Sequence, residues 1–349
     1  MLAAVLSESS YDALLVTSRD NIRYLSGFTG SNGALLVDRD GGCLLATDGR
    51  YLTQAADQSG DLECLEARSV LEVLAQRAGE RGCRELGFEP HAVTVEQLAV
   101  LEEVAGGVVV LRPAGRLVER QRVVKDAGEL ATLRTACEIT DVAYGETLCA
   151  LRPGVTEREI AWALTESMRR HGADGPAFEI IAAFGENSAI PHHSPTDRPL
   201  RQGDLVKLDF GAKVAGYHAD MTRTAVCGSP ADWQREIHDE VAELQLILRA
   251  DVRIGVVPGE LDAAMRTYLE AHGRTVAHGL GHGVGLAIHE DPFLTQASSA
   301  PALIADVALT IEPGVYLPGR GGVRIEDTVV VTADRPDVLT TSPRDLVEV

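Results

Sequence analysis

Short apolar runs separated by turn residues mark the first third of the chain. Three of these runs have the length and composition of buried strands: residues 12–18, 84–90 and 107–113. A fourth run, residues 33–47, contains the turn sequence Asp40-Gly41-Gly42 in its middle. That combination predicts a β-hairpin.

Two segments between these strands have apolar residues at helical spacing, 50–58 and 69–82. Alternating strands and helices predict an α/β domain. A charged stretch then leads into a long amphipathic helix, which we expect to be closed by Arg152-Pro153-Gly154. The chain therefore divides into two predicted domains: residues 1–122 and 123–349.

The second predicted domain contains a weak internal repeat. Two segments share a Pro-Gly start, one amphipathic helix and a His-Gly end: residues 153–172 and 258–273. Thr156 and Glu159 have the spacing of a capping box in the first copy. Gly172 and Gly273 stand where a helix is commonly ended by a left-handed residue. Because a histidine segment and two acids follow each copy, the repeat predicts a pseudo-twofold domain.

Two pairs of acidic residues lie in or beside β-rich, apolar stretches of this domain. Asp209 and Asp220 are 11 residues apart, Glu312 and Glu326 are 14 apart, and His282 lies between the pairs. Burying a lone carboxylate costs several kcal/mol, so the four acids need a counter-charge. The sequence offers few cations nearby, which makes a divalent metal the natural candidate.

Asp209, Asp220, His282, Glu312 and Glu326 form an oxygen-rich ligand set without thiolates. Four carboxylates and one imidazole exceed the three ligands of a typical catalytic zinc site. They suit two divalent ions about 3.5–4 Å apart with bridging carboxylates. Hard oxygen ligands favour Mn²⁺, with Zn²⁺ or Co²⁺ as alternatives. Such a centre predicts hydrolysis, because it makes hydroxide from bound water near neutral pH.

Composition and charge exclude several classes of protein. A net charge of −20 and a pI near 4.9 argue against nucleic acids and anionic membranes as partners. No apolar stretch approaches the 18 residues of a membrane span, and the N-terminal sequence lacks the basic region of a signal peptide. The six cysteines show no CxxC spacing, as expected of reduced thiols. We therefore expect a cytoplasmic enzyme.

Several phrases of the sequence together resemble one enzyme family. LDFGA, HADMTRT, GLGHGVGLAIHE, TIEPGVY and GGVRIEDT are similar to the motif series of the M24 metallopeptidases, over roughly residues 125–349. The phrases NIRYLSGFTGSNGALLV and ATDGRYLTQA resemble the creatinase/prolidase N-terminal domain. The resemblance implies an α+β protein, with a smaller α/β creatinase-type domain before a catalytic domain of the pita-bread fold. It also implies a homodimer.

The resemblance also implies roles for the site residues. Asp209 would hold one metal ion and His282 with Glu312 the other, while Asp220 and Glu326 would bridge them.

Glu312 would also receive the proton of the attacking water. His192 and His289 would be catalytic residues that contact the substrate beside the scissile bond. Arg324 matches a family arginine near the site, and Tyr316 matches a tyrosine that would contribute to substrate binding.

Substrate specificity follows from the same resemblance. The N-terminal domain speaks for the proline-specific branch of the family, whose members cleave Xaa-Pro bonds in proline-containing peptides. Short microbial prolidases carry an arginine soon after the His-Glu pair, where this chain has Phe293 preceded by Asp291. A dipeptidase needs such a cation for the free carboxylate of proline. We therefore favour an aminopeptidase P-like activity over a strict Xaa-Pro dipeptidase.

Two further alternatives remain open on the sequence. One is a hydrolase of non-peptide substrates on the same metal centre. The other is a metal-free binding scaffold, since a fold alone does not determine function.

Overall fold

The computed structural model describes residue 6 and residues 9–349, and the chain divides into two compact units between Arg122 and Val123. None of the described helices combines the length and the hydrophobicity that a membrane span requires. All six cysteines are free thiols.

The N-terminal unit is built around one mixed sheet with the strand order β4-β3-β2-β1-β5-β6. Its described strands are β1 Ala13–Val16, β2 Gly33–Asp38, β3 Cys43–Thr47, β4 Glu63–Glu66, β5 Glu85–Phe88 and β6 Val110–Pro113. Its described helices are α1 Arg19–Ser26, α2 Leu52–Gln58, α3 Val70–Glu80, α4 Val95–Ala105 and α5 Leu117–Arg122. The predicted hairpin is confirmed, since β2 and β3 pair antiparallel and Gly41 adopts a φ of 94° in the turn.

Three helices of this unit, α1, α4 and α5, were not predicted from the apolar pattern. The start of α4 nevertheless carries a local signal, because Thr94 and Gln97 form a complete capping box. Such a reciprocal pair satisfies two backbone donors at a helix start. The signal for α4 is therefore its cap, since its hydrophobic face is short.

The C-terminal unit contains two larger sheets, β20-β12-β9-β8 and β14-β13-β15-β18-β19. Its first strands are β7 Gly175–Pro176, β8 Ile181–Phe184, β9 Leu205–Phe210, β10 Ala212–Val214, β11 Tyr217–His218 and β12 Met221–Val226. They are followed by β13 Gly281–Gly283, β14 Glu290–Leu294, β15 Ala308–Ile311, β16 Gly314–Leu317, β17 Gly321–Arg324, β18 Asp327–Val330, β19 Asp337–Val338 and β20 Val347–Glu348. Its helices are α6 Ala127–Leu148, α7 Glu157–Arg170, α8 Asp232–Ala250 and α9 Pro258–Ala271.

The predicted repeat corresponds to helices α7 and α9. Thr156 and Glu159 form the expected capping box at the start of α7. Pro258 occupies the first position of α9, where its missing N–H is not needed. Gly172 and Gly273 follow the two helices with φ values of 97° and 70°, a conformation that favours glycine. The same start and stop devices therefore occur in both halves.

Helix α8 lies between the two halves, and its apolar positions follow helical spacing. Ile237, Val241, Leu244 and Leu248 are all buried and recur at intervals of four, three and four residues. They join the larger core of the unit with residues of β12, β15 and β18.

The two sheets are joined close to the acidic residues. Thr222 in β12 donates from its hydroxyl to Glu326 Oε2 at 2.7 Å and accepts the backbone N–H of Glu326 at 3.1 Å. The Thr328 hydroxyl in β18 donates to the carbonyl of Asp220 at 2.8 Å. These bonds fix the acid-bearing end of one hairpin against that of the other.

A fully buried carboxylate beside Glu326 anchors this junction. Asp327 accepts from Arg223 at 2.9 Å, from Arg249 at 2.9 Å and from Arg344 at 2.7 and 2.9 Å. Burial alone raises the pKa of Asp327, but the charge of Arg223 and the bonds from Arg344 outweigh it and lower the pKa. Arg223 also donates to the carbonyl of Glu326.

We predict that Asp327→Asn destabilises the C-terminal unit by about 3–5 kcal/mol, because it leaves buried guanidinium groups without their counter-charge. Urea unfolding followed by tryptophan fluorescence measures this, since Trp162 and Trp233 both lie in this unit. The pKa of Asp327 is lowered on folding, so its contribution is present above its unfolded value of 3.8 and is lost as the pH falls. The difference in free energy of unfolding between wild type and variant should therefore become smaller below about pH 4.

The matched control is Asp239→Asn, because the side chain of Asp239 is 84% exposed. Its effect should stay within about 0.5 kcal/mol. An Asp327→Asn protein as stable as the control at pH 7 would contradict the proposed anchoring.

Candidate metal centre and substrate cavity

The four predicted acids lie at equivalent ends of two paired-strand units. Asp209 in β9 pairs with Thr222, and Asp220 immediately precedes β12. Glu312 immediately follows β15, and Glu326 immediately precedes β18. Asp209, Asp220 and Glu326 are buried, and the side chain of Glu312 is largely buried with 17% of its surface exposed. Each half of the unit thus contributes two carboxylates in the same way, and together with His282 they line one cavity.

Three of these carboxylates each have a buried oxygen that lacks a hydrogen-bond partner within the described part of the chain: Asp209 Oδ1, Asp220 Oδ1 and Glu326 Oε1. A buried acceptor left unsatisfied costs about 1–3 kcal/mol, and a charged one costs more. Three such oxygens in one cavity fit a bound cation.

Burial and mutual repulsion raise the pKa of three of the acids. Burial is the main cause for Glu312, whose pKa rises to about 8. Burial, followed by the charges of Glu326 and Asp209, raises the pKa of Asp220 well above its usual value. Burial, followed by the charges of Glu312 and Asp209, does the same for Glu326. These groups hold protons unless a cation replaces them.

His282 is oriented as a ligand. Its Nδ1 lies 3.1 Å from the carbonyl of Gly283 and donates to it, which leaves Nε2 with a free lone pair. Nε2 lies 3.6 Å from Asp220 Oδ2 and 3.6 Å from Glu312 Oε1. Burial, with a smaller effect of His289, lowers the pKa of His282 to about 3, so the ring is neutral. Ligand atoms of Asp220, His282 and Glu326 lie within 4.8 Å of one another.

Arg324 is the cation beside this cluster. Its Nη2 contacts Asp209 Oδ2, and its Nε donates to the Thr222 hydroxyl at 3.1 Å. Its Nη1 donates to the hydroxyl of Tyr316 at 2.7 Å and to the carbonyl of Pro191 at 3.2 Å. One guanidinium balances one carboxylate, so the four acids still require further positive charge.

Tyr316 lies in a relay that holds Arg324. Nδ1 of His278 donates to the carbonyl of Gly279 at 2.8 Å, so its Nε2 accepts from the Tyr316 hydroxyl at 2.8 Å. The hydroxyl is therefore committed to His278 as a donor and to Arg324 as an acceptor. Among the described residues, Tyr316 is not one that lines the cavity. The substrate contact expected of Tyr316 stays a prediction.

His192 and His289 both line the cavity, which has a volume of about 250 Å³. The ring of His289 lies 4.3 Å from that of His282 at an angle of 87°. Burial, with a smaller effect of His192, lowers the pKa of His289, so its imidazole is neutral at neutral pH. A neutral imidazole can donate from one nitrogen and accept at the other.

Phe293 lies outside this cavity as far as the described residues show. Its backbone pairs with that of His282 across β13 and β14, but its side chain is 42% exposed and does not line the cavity. The presence of phenylalanine at this position, where prolidases carry an arginine, therefore gives little information about the cavity itself.

Buried charged residues around the cavity were missed by the sequence analysis. Lys207 lies in β9, and its Nζ donates to the carbonyl of Ile190 at 2.6 Å. Burial, with a smaller effect of Arg324, lowers the pKa of Lys207 to about 6. Lys125 lies 2.6 Å from Glu290 in a buried ion pair next to His289. A charged residue inside an apolar strand, as in LVKLDF, is the signal that could have identified Lys207.

A second acidic cluster lies in the N-terminal unit, formed by Glu89, His91 and Glu119. Glu89 accepts from the backbone N–H groups of Thr17 and Ser18 at 2.6 and 2.7 Å. His91 Nε2 lies 2.6 Å from Glu119 Oε1. These bonds describe a structural network that fixes the start of α1.

The comparisons with known proteins identify the family. The model of metallopeptidase family M24 matches residues 131–333, and the model of the creatinase/prolidase N-terminal domain matches residues 1–124. The chain belongs to metallopeptidase family M24. The predicted α+β fold, a creatinase-type domain followed by a pita-bread domain, is confirmed.

Relatives of this M24 metallopeptidase match it over its whole length. An Xaa-Pro dipeptidase from Bacillus anthracis has 36% identity, covers 100% of this chain and 98% of its own, and superposes with a TM-score of 0.95. An X-Pro aminopeptidase from Thermotoga maritima has 35% identity with the same coverage and a TM-score of 0.92. An Xaa-Pro dipeptidase from Pyrococcus horikoshii is 32% identical, over 98% of this chain and 96% of its own.

We predict that adding Mn²⁺ to the metal-stripped protein at pH 7 releases protons. The pKa of Glu312 is about 8 without a cation, and those of Asp220 and Glu326 are raised as well. Metal ligation requires the ionised form, so binding displaces these protons. Calorimetric titration in two buffers with different ionisation enthalpies measures the number released.

Mn²⁺ binding to the Glu312→Gln variant should release about one proton fewer than Mn²⁺ binding to the wild type. The control is Glu179→Gln, because Glu179 lines the same cavity but lies at an exposed position. Binding without proton release at pH 7 would contradict the raised pKa values.

Proposed function

We propose that this M24 metallopeptidase cleaves Xaa-Pro peptides as a dinuclear metal enzyme, with Xaa-Pro dipeptides as its main substrates. The observation that supports this most is the cavity in which four carboxylates and one imidazole converge with buried, unpaired oxygens. Full-length relatives named as Xaa-Pro dipeptidases and as an X-Pro aminopeptidase supply the substrate class.

The residues present fit a pair of divalent ions. Asp209 would hold one ion, His282 with Glu312 the other, and Asp220 and Glu326 would bridge them. Oxygen ligands favour Mn²⁺, with Zn²⁺ or Co²⁺ as alternatives. The chemistry supplied by two such ions is Lewis acidity towards a carbonyl oxygen and a water molecule.

The protein residues then have distinct tasks. Glu312 is placed to take a proton from the attacking water on its carboxylate. His192 and His289, on the cavity wall, are placed to donate hydrogen bonds to the substrate oxygen that gains negative charge. Arg324 orients Asp209 through its direct contact, and Tyr316 orients Arg324. Tyr316 thus acts on the substrate indirectly in this proposal.

Proline at the second position suits this cavity for a chemical reason. An Xaa-Pro bond is a tertiary amide without an N–H, so the site must recognise other groups. A free N-terminal ammonium is attracted to a cavity lined by carboxylates, and the apolar side chains of Phe178, Ile181 and Ile288 offer surface for the ring. These features favour cleavage close to the amino terminus of the substrate.

The dipeptidase alternative from the sequence analysis becomes the main proposal, ahead of the aminopeptidase P-like activity. Full-length relatives from Bacillus anthracis and Pyrococcus horikoshii are named Xaa-Pro dipeptidases, which supports dipeptides as the main substrates. The argument from Phe293 loses weight because its side chain does not line the cavity. The aminopeptidase activity stays as a second candidate, supported by the Thermotoga maritima relative.

The identity of the metal, a homodimeric assembly and a cytoplasmic location stay predictions from the sequence. The residue roles proposed above do not depend on these three predictions. Every residue to which the proposal gives a role lies in the C-terminal unit.

We predict that the Mn²⁺-loaded protein hydrolyses Ala-Pro at least about ten times faster than Ala-Pro-Ala, a preference of about 1.4 kcal/mol. Liberated proline is measured for the dipeptide and liberated alanine for the tripeptide. N-acetyl-Ala-Pro should resist cleavage because it lacks the ammonium group.

Asp220→Asn tests the dependence on the metal centre and should abolish both activities. Faster cleavage of the tripeptide would favour the aminopeptidase alternative. If the metal-loaded protein cut neither peptide, the proline specificity would be wrong.

A further inference from the structure

The segment from Phe184 to Thr196 carries His192 and His193, which follow the first copy of the predicted repeat, yet it has little regular structure of its own. It contains one 3₁₀ helix, Gly185–Ala189, and then runs without helix or strand through His192 and His193. Both histidines line the cavity. Something outside the segment must therefore hold its conformation, because irregular backbone is not fixed by its own hydrogen-bond ladder.

Glu157, in the first turn of α7, accepts five hydrogen bonds from this segment. Its Oε1 accepts from the backbone N–H of Phe184 at 2.8 Å and from Asn187 Nδ2 at 2.8 Å. Its Oε2 accepts from His193 Nε2 at 2.8 Å, and from the backbone N–H and hydroxyl of Thr196 at 2.9 and 2.6 Å. The partners span both ends and the middle of the segment.

The carboxylate of Glu157 is fully buried, with 0% of its surface exposed. Burial alone raises the pKa of Glu157, but the hydrogen bonds from Thr196, His193 and Asn187 outweigh it, so the pKa is lowered. Its position at a helix N-terminus also favours a negative charge. A carboxylate can only accept, so all five bonds require the ionised form.

This carboxylate also fixes the proton on His193. Because Glu157 accepts from Nε2, a neutral His193 has its proton there and leaves Nδ1 as an acceptor. Carboxylate–imidazole pairs commonly set the tautomer and the ring orientation of a functional histidine.

Two basic side chains hold the opposite side of the segment. Lys207 Nζ donates to the carbonyl of Ile190, and Arg324 Nη1 donates to that of Pro191 at 3.2 Å. Arg324 is the residue that also contacts Asp209. The residues before His192 are thus attached to the metal-ligand side, and Glu157 holds His193 and the residues after it.

We propose that Glu157 is a positioning residue that places His192 and His193 at the substrate cavity. This inference rests on the proposed function, which makes that cavity the site of peptide cleavage. Glu157 itself does not line the cavity among the described residues, so it acts through the segment.

The test compares Glu157→Gln with the wild type in Ala-Pro hydrolysis. Glutamine has the same size, but its NH₂ group would face hydrogen-bond donors of the segment. It therefore cannot accept all five hydrogen bonds. We expect kcat/KM to fall by about 100-fold, the scale expected when a catalytic group is misplaced by about 1 Å. The fall should lie mainly in kcat, because contacts to the developing charge act in the transition state. Glu157→Asp, which keeps the charge, should recover part of the loss.

The matched control is Glu159→Gln. Glu159 lies in the same helical turn, and its carboxylate accepts its described hydrogen bonds from Thr156, which lies outside the segment. Its kcat/KM should stay within about twofold of the wild type, a difference of about 0.4 kcal/mol. His193→Phe removes one of the five bonds while leaving Glu157 in place, and should lower kcat in the same direction. His193→Gln, which can keep an N–H near Nε2, should be less affected.

Hydrogen exchange gives a readout independent of activity. Glu157→Gln should increase exchange in peptides covering residues 184–197 and leave those covering β9 and β12 unchanged. Exchange and kcat/KM both equal to wild type would overturn the proposal. So would increased exchange throughout the C-terminal unit, because Glu157 would then be a general structural residue.

Two further outcomes are distinguishable. If Glu157→Gln does not fold, His193→Phe decides, and a wild-type kcat in that variant would overturn the proposal. If the wild type itself cleaves no Xaa-Pro peptide, the proposed function fails. The exchange pattern then still shows whether Glu157 holds the segment.

Discussion

Four carboxylates held together in one small cavity are the constraint on which the C-terminal unit depends. Like charges at this spacing repel, and burial strengthens the repulsion. Only a stiff scaffold can hold such groups in place without a cation. Paired strands provide it, because Asp209 and Asp220 lie on one antiparallel pair and Glu312 and Glu326 flank another. Bonds from Thr222 and Thr328 then fix one pair against the other.

The charged residues around the cavity leave most of this repulsion uncompensated. Three arginines bind Asp327 and compensate its negative charge beside the cluster. Arg324 contacts Asp209 directly and its Nε lies 3.9 Å from Glu312 Oε2, so one guanidinium faces four carboxylates. Lys207 contributes little positive charge at neutral pH, since burial lowers its pKa to about 6. Most of the negative charge of the cavity is therefore not compensated by the protein. Such a cavity attracts external cations, as a metal centre requires.

The sequence was most informative where chemistry and local pattern coincide. An acid within an apolar strand is costly, so Asp209, Asp220, Glu312 and Glu326 could be recognised as a set with His282. The repeat was readable because Thr156, Pro258 and the two glycines are local start and stop signals. Helices α1, α4, α5 and α8 escaped prediction, although α8 carries a regular apolar spacing.

Long-range contacts were beyond the sequence. Nothing near Glu157 indicates that its partners lie 27 to 39 residues further on. The relay from His278 through Tyr316 to Arg324 likewise joins positions whose meeting depends on the folded sheets. Phe293 shows a different limit, because the absence of an arginine at this position was interpreted as the loss of a carboxylate clamp, whereas the exposed side chain of Phe293 does not line the cavity.

The burial of lysine has a practical consequence for anyone who modifies this protein. The chain contains three lysines, at positions 125, 207 and 213. Lys125 and Lys207 are 3% and 0% exposed, and each is engaged by an oxygen partner. Arginine supplies nearly all of the positive charge on the surface. Amine-directed dyes, cross-linkers and immobilisation resins therefore find one accessible lysine side chain, Lys213, so the fold itself makes lysine coupling nearly site-specific.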